Sequence, residues 1–259
     1  MCRWLKIPRS SYYYKTSEPV SEADLEEKVK QIFLESQSRY GARKIKQCLA
    51  TDGIILSRRR IRRIMKRLNL VSVYQQASFK PYAKGKNEAP IPNLLDRQFY
   101  QEKPLEVIVT DLTYVRVGQR WAYVCLIIDL FNREIIGVSV GWQKTAELVK
   151  QAIQSIPYAL TKVNLFHSDR GKEFDNQLID EVLEAFGITR SLSQAGCPYD
   201  NAVAESTYRF FKLEFIHQET FHSLKELTLK TKNYVHWWNH HRIHGSLNYQ
   251  TPIAKRVTA

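Results

Sequence analysis

Long apolar runs are missing from this sequence. Nowhere in its 259 residues does one approach the roughly 18 needed to cross a bilayer as a helix. The start also lacks the apolar segment of a secretory signal, so neither a membrane span nor export is expected. Cysteine is scarce. Cys2, Cys48, Cys125 and Cys197 lie far apart and form no C-x-x-C pair. That argues against a structural zinc site or a disulfide framework and fits a reducing cytoplasm. His240, His241 and His244 cluster near the end, but no second ligand pair accompanies them. Acidic residues are few in one part only: residues 1–100 hold 9 Asp/Glu against 21 Lys/Arg, while 101–259 hold 17 against 18. Nearly all of the net charge of +13 is thus N-terminal, which points to a polyanion partner.

Four regions follow from the patterning. Residues 1–70 read as a small all-helical unit, opened by the tyrosine-rich segment Arg9 to Tyr14. Ser21 can cap a helix with Leu25, Val29, Ile32 and Phe33 on one face, and Glu22 and Asp24 suit its positive end. Ala42 to Ala50 make a second helix, and Asp52-Gly53 turns the chain. Ser57 then caps a third, with Ile61, Ile64, Met65 and Leu68 as its core stripe. Seven cations fill the other positions of 58–67 and would repel one another without an anionic partner. A cationic helix after a glycine turn has the form of a helix-turn-helix recognition helix, so Arg58, Arg59, Arg62, Arg63 and Lys66 are candidate DNA contacts. A solvated basic face is the plainer alternative. Residues 71–100, with Pro81, Pro90, Pro92, Lys80, Lys84 and Lys86, read as a basic linker.

Residues 101–220 alternate between strand and helix patterns. Val107–Val115, Trp121–Leu130 and Ile135–Val140 are joined by short connections and so are expected to pair antiparallel. A helix at 145–156, a strand at 163–168, a helix at 175–186 and a strand at 189–193 follow. Gly196 and Pro198 break the next stretch, and Asp200 and Asn201 can cap a further helix. Residues 221–259 form a C-terminal helix and tail, with Leu224, Leu227, Tyr234 and Trp238 on one face.

Asp111 sits inside a β-branched and aromatic run, Asp169 ends another, and Glu205 lies in the first turns of the 200s helix. A carboxylate in such surroundings is costly unless paired, and a hard cation is a natural partner. Two ions about 4 Å apart would clamp the attacking and leaving oxygens of a phosphodiester displacement. Each acid taken alone could be an ordinary cap or surface ion pair. Asp129 also ends an apolar strand, but it reads as a cap for the turn that follows.

Exactly 35 residues would be an idle count if it stood alone, but 35 residues do separate Asp169 from Glu205, and the wording around the acids agrees. Thr110-Asp111-Leu112-Thr113-Tyr114, His167-Ser168-Asp169-Arg170-Gly171, Asp200-Asn201-Ala202 through Glu205-Ser206, and Phe211-Lys212-Leu213-Glu214 occur in order. They resemble the OrfB transposases of insertion-sequence family three, whose catalytic core is like that of retroviral integrases. The likeness runs over nearly the whole chain. Ile108 stands where the family often has Trp, and Ile243 where it commonly has Pro. The zinc-binding His/Cys pairs of retroviral integrases have no counterpart.

The resemblance implies an α/β fold: a ribonuclease-H-like mixed five-stranded sheet flanked by helices, preceded by a small helix-turn-helix domain. It implies Asp111, Asp169 and Glu205 as ligands of two Mg2+ ions, with Mn2+ able to substitute. It also implies cleavage at insertion-sequence ends and 3′-hydroxyl strand transfer into target duplex DNA. OrfA is implied as a frameshift fusion partner, with a homo-oligomeric synaptic complex in the bacterial cytoplasm, on the nucleoid when bound to DNA. Lys212 lies two turns from Glu205 and resembles the family's basic residue near the scissile phosphate. Arg209, one turn from Glu205, either contacts DNA or pairs with that acid. His167 either contacts DNA or packs. Two other functions compete: a ribonuclease-H-like nuclease that only hydrolyses, and a DNA-binding regulator without catalysis.

Overall fold

Residues 21–74 and 91–258 are described by the computed structural model. The tyrosine-rich segment at 9–14 and the expected linker residues Lys80, Pro81, Lys84, Lys86 and Pro90 lie outside them. The chain divides into two compact units, Met1–Ser72 and Val73–Ala259.

The first unit packs three helices: α1 (Glu22–Glu35), α2 (Ala42–Thr51) and α3 (Arg58–Arg67). Their apolar stripes meet in a core of Leu25, Val29, Phe33, Ile45, Leu49, Ile61, Ile64 and Met65, all buried, with Ile32 and Leu68 at its margin. The expected caps form: Ser21 Oγ accepts from Asp24 N at 3.1 Å and Ser57 Oγ from Arg60 N at 3.2 Å. Gly53, at φ +77°, supplies the left-handed turn after α2.

The second unit is built on a five-stranded sheet in the order β3-β2-β1-β4-β5. The strands are β1 (Val107–Val117), β2 (Arg120–Asp129), β3 (Ile135–Gly141), β4 (Leu165–Ser168) and β5 (Thr189–Leu192). β1–β2 and β2–β3 pair antiparallel, while β1–β4 and β4–β5 pair parallel. This is the mixed sheet expected of a ribonuclease-H-like fold. β1 runs two residues beyond its expected end because Val117 pairs directly with Arg120 across a two-residue turn.

Helices α4 (Ala146–Gln154) and α5 (Gln177–Ala185) cover one face over Ile108, Ile127, Phe166 and Phe174. Ile108 is fully enclosed in this core, so the departure from Trp there is absorbed by packing. Two further helices, α6 (Ala202–Glu214) and α7 (Leu224–His240), bury Phe211, Tyr234 and Trp238 against one another, and α8 (Pro252–Val257) closes the tail.

Asp129 is structural, as expected, and more than a turn cap. It is 0% exposed and binds Phe131 N, Leu105 N and the Arg256 guanidinium. Part of the expected linker is also fixed. Leu94 N and Leu95 N donate to Ser191 Oγ, and Leu192 N donates to Pro92 O, so residues 92–95 lie along β5. Composition read these residues as a spacer because their partners lie about a hundred positions away.

Candidate active site

Parallel pairing sets the two aspartates side by side. Val109 of β1 is in register with His167 of β4. Asp111 and Asp169 each lie two residues beyond that pair, Asp111 in the middle of β1 and Asp169 just past the end of β4, and adjacent strands run about 4.8 Å apart. They are also held alike. Leu112 N donates to Asp111 Oδ1 at 2.7 Å, and Gly171 N donates to Asp169 Oδ1 at 3.0 Å. No hydrogen bond among the described residues engages either Oδ2. Backbone thus fixes each carboxylate by one oxygen and leaves the other to the cleft.

Glu205 comes from α6. The chain turns through a short 3-10 segment, Pro198–Asn201, before the α-helix starts at Ala202. Asn201 occupies the cap position but makes no capping bond, contrary to expectation. Its Nδ2 instead donates to Thr110 O at 3.0 Å, tying the base of α6 to the residue before Asp111. Asp200 does not cap either. It is buried, accepting from Arg97 Nε at 2.8 Å and from Gln194 N at 2.9 Å, which closes the 194–199 loop at its neck.

A second tie comes one turn after Glu205. Leu126 N donates to the Tyr208 hydroxyl at 2.6 Å, and that hydroxyl donates to Asp111 O. Leu126 is the cross-strand partner of Asp111. Tyr208, fully buried, therefore bridges the two strands at the level of the catalytic candidate. The helix with Glu205 is pinned to the strand with Asp111 through Asn201 and Tyr208, one on each side of Glu205.

Like charge gathers here. Burial and the Asp169 carboxylate push Asp111 up to about 7, with Glu205 adding to the shift. Burial raises Asp169, and Glu173 raises it further despite the Gly171 N–H. Burial and Asp169 raise Glu205. Lys144 faces this group: it lies 2.7 Å from Glu173 and opposes the shifts of both aspartates. Sequence reasoning missed Lys144 and Glu173. Glu173 lies four residues past Asp169, just outside the quoted motif, and Lys144 offered no signal. Gly171 packs closely against them: a Cβ there would meet the Glu173 carboxylate at 2.4 Å, so a larger residue would make that side chain shift.

Among the described residues no three His, Cys, Asp or Glu side chains converge tightly enough to form a metal cluster as they stand. The donor chemistry still suits a hard divalent cation: carboxylate oxygens only, each raised first by burial and then by a neighbouring carboxylate, with the aspartate Oδ2 atoms unengaged.

Comparison with known proteins agrees with this arrangement. The integrase core domain family matches residues 101–198 and again 186–252, and an HTH-like domain family matches residues 20–78. InsK of insertion sequence element IS150 from Escherichia coli K12 is 30% identical over 264 residues, covering 99% of this chain and 92% of the relative. The chain belongs to the transposases of insertion-sequence family three. The transposase InsF of insertion sequence IS3A, also from Escherichia coli K12, is 28% identical, covering 96% of the chain and 91% of InsF. A relative from insertion sequence element IS1353 of Shigella flexneri is 31% identical over 97% of the chain but only 50% of its own length.

Several family motif residues prove to be architectural in this member. Glu214 is buried and receives Arg242 at 2.9 Å, the Tyr74 hydroxyl at 2.8 Å and the Tyr234 hydroxyl at 3.0 Å. Arg242 is stacked between the rings of Phe210 and Trp238. His167 is also internal. It is 0% exposed, its ring nitrogens meet Ser191 Oγ at 2.8 Å and Ser193 Oγ at 3.1 Å, and burial lowers its pKa to about 4. A neutral ring enclosed between β4 and β5 cannot reach DNA, so the packing reading of His167 replaces the DNA-contact reading.

Arg209 is exposed, and no ion pair joins it to Glu205 among the described residues. Lys212 is half-buried, with its ammonium 5.1 Å from the centre of the Tyr114 ring. In the first unit Arg58, Arg59, Arg62, Arg63 and Lys66 are exposed. Arg60 reaches Glu22 at 2.5 Å, while Arg67 reaches Glu22 at 2.8 Å and Glu26 at 2.9 Å. Glu22, expected to serve the helix dipole of α1, and Glu26, one turn on, thus neutralise two of the seven cations, and self-repulsion is weaker than the sequence implied.

Proposed function

We propose that this chain cleaves DNA at insertion-sequence ends and joins the 3′-hydroxyls to target DNA, with Asp111, Asp169 and Glu205 as the metal-binding carboxylates. The observation that carries this reading is that burial and the Asp169 carboxylate together raise both Asp111 and Glu205, three acids carried by β1, by the residue after β4 and by α6. Such shifts are a cost to folding unless cations relieve them in the working state. Two Mg2+ ions, or Mn2+ in their place, would bind there and supply charge neutralisation and activation of a water or 3′-hydroxyl for in-line attack on phosphorus. Asp111, mid-way along β1, and Asp169, just past β4, would each offer the oxygen that backbone leaves free. Glu205 completes the donor set from the pinned helix. Lys212 and Arg209 neutralise phosphates that pass along α6.

The domain boundaries at about 70, 100 and 220 assign duplex recognition to the helical unit and chemistry to the sheet. The IS1353 relative extends well beyond the region shared with this chain, which fits a fusion in which OrfA supplies the remainder. A homo-oligomeric synaptic complex acting on the nucleoid completes the reading.

Strand-transfer assays on candidate end duplexes, with and without OrfA, test it. Asp111→Asn, Asp169→Asn and Glu205→Gln should each abolish strand transfer while leaving DNA binding largely intact. Near-normal transfer from any of the three removes that residue from the site. Metal-dependent cleavage without any joining would identify a hydrolytic nuclease, and binding without cleavage a regulator.

A further inference from the structure

Beyond the carboxylates, the β1–β2 hairpin carries two aromatic side chains that the chemistry leaves unused. Tyr114 is 58% exposed and Trp121 48%, and their rings meet edge to face at 5.1 Å. Each has a cation on it: Lys212 lies 5.1 Å from the centre of Tyr114, and the Arg116 guanidinium 5.2 Å from that of Trp121. These four, with Ile216 and Phe221, line a cleft of about 330 Å³. The surface is rigid. Arg116 pairs with Trp121 and Tyr114 with Tyr123 in the sheet, and Gly118 N donates to Phe221 O at 2.9 Å. The cleft's one carboxylate, Glu219, is taken by Lys230 at 2.8 Å.

Its position matters. Tyr114 lies three strand residues from Asp111, about 10 Å. Lys212 lies two helical turns from Glu205, also about 10 Å. β1 and α6 leave the carboxylates by separate routes and meet again where Lys212 covers Tyr114. That span is about three stacked nucleotides. Exposed aromatic faces held in the sheet and flanked by cations, about 10 Å along β1 and α6 from the carboxylates, suit a planar base attached to phosphates.

We propose that Tyr114 and Trp121 form a stacking platform for unpaired DNA bases within a few nucleotides of the scissile phosphate, with Arg116 and Lys212 holding the adjoining phosphates. This rests on the reading of the carboxylates as a phosphodiester site. The platform accepts the end of a duplex once its terminal pairs have opened, and it is indifferent to sequence because every base has a π face.

The test compares the full chain on a blunt duplex and on the same duplex with three mismatched terminal pairs, at one salt concentration. Wild type should bind the opened end about 10-fold tighter or more, in line with the worth of one or two stacked bases. Trp121→Ala and Tyr114→Ala should erase that preference while leaving blunt-duplex affinity unchanged, and Trp121→Phe should retain most of it. Equal affinity of wild type for both ends, a preference that survives in the Trp121→Ala/Tyr114→Ala double variant, or equal weakening on both ends overturns the platform. If wild type shows no preference and Trp121→Ala turns an oligomer into a monomer in light scattering, the face is a protein interface instead. Wild-type cleavage assayed in parallel separates the two ideas. Preference without metal-dependent cleavage sinks the carboxylate reading alone, and cleavage without preference sinks the platform alone.

Discussion

Asp111 and His167 are neighbours in the sheet with opposite consequences for stability. A free aspartate loses its proton near 3.9, but folded Asp111 holds it until about 7. Its charge therefore destabilises the metal-free fold progressively as pH rises from about 4 to 7. Free histidine titrates near 6.5, while folded His167 stays neutral down to about 4, so the fold loses stability as pH falls through that range. The two effects oppose each other in one window, and the wild-type profile is flattened. Asp111→Asn should stabilise the metal-free protein on the order of 2 kcal/mol at pH 8 and little at pH 4. Urea unfolding at both values checks it, and a stability gain equal at the two pH values would contradict the assigned cause. The three acids were legible as candidates because their spacing and motifs are local. It could place His167 on a strand but not say which face was enclosed, since that depends on β5, two dozen residues on.

At the scale of elements, α6 is the organising piece. Its caps were expected from Asp200 and Asn201, yet both side chains work at long range. Tyr208 carried no signal at all, because its partners Asp111 and Leu126 are more than eighty residues away. Tyr208→Phe should cost about 1–3 kcal/mol by leaving the bridged backbone groups without the hydroxyl. It should also raise the Mg2+ concentration needed for half-maximal strand transfer. An unchanged Mg2+ requirement would leave the hydroxyl a purely structural group. α3 makes a separate prediction. DNA affinity should fall linearly with log salt, and alanine at any of Arg58, Arg59, Arg62, Arg63 or Lys66 that touches phosphate should lower the slope by about 1. Arg60→Ala and Arg67→Ala should leave it unchanged, because those side chains are held by Glu22 and Glu26. Slopes that respond to all seven alike would place the whole helix on DNA.

In the molecule as a whole, strand and helix order was legible because each element has strong periodicity and clear breakers. The tertiary clamps were not. The Glu214–Arg242 pair joins α6, the residues after α7 and Tyr74, and both charges are almost wholly enclosed. Arg242→Ala strands a buried carboxylate and should destabilise the second unit by about 3–5 kcal/mol. Arg242→Ala with Glu214→Gln should recover part of that loss in thermal melts. No recovery would mean that packing against Phe210 and Trp238, not charge, is what the arginine supplies.

The parallel pairing of Val107 with Leu165 also orders events in time. β1, β2 and β3 are consecutive hairpins whose contacts are local and close early. β4 can join β1 only after some fifty further residues are made, and α6 only after ninety. Long loops close slowly, so Asp111 waits in a finished meander for two partners still to come. On the proposed reading, a chain that stops short of Ala202 carries all five strands but lacks Glu205, the acid that would complete the site.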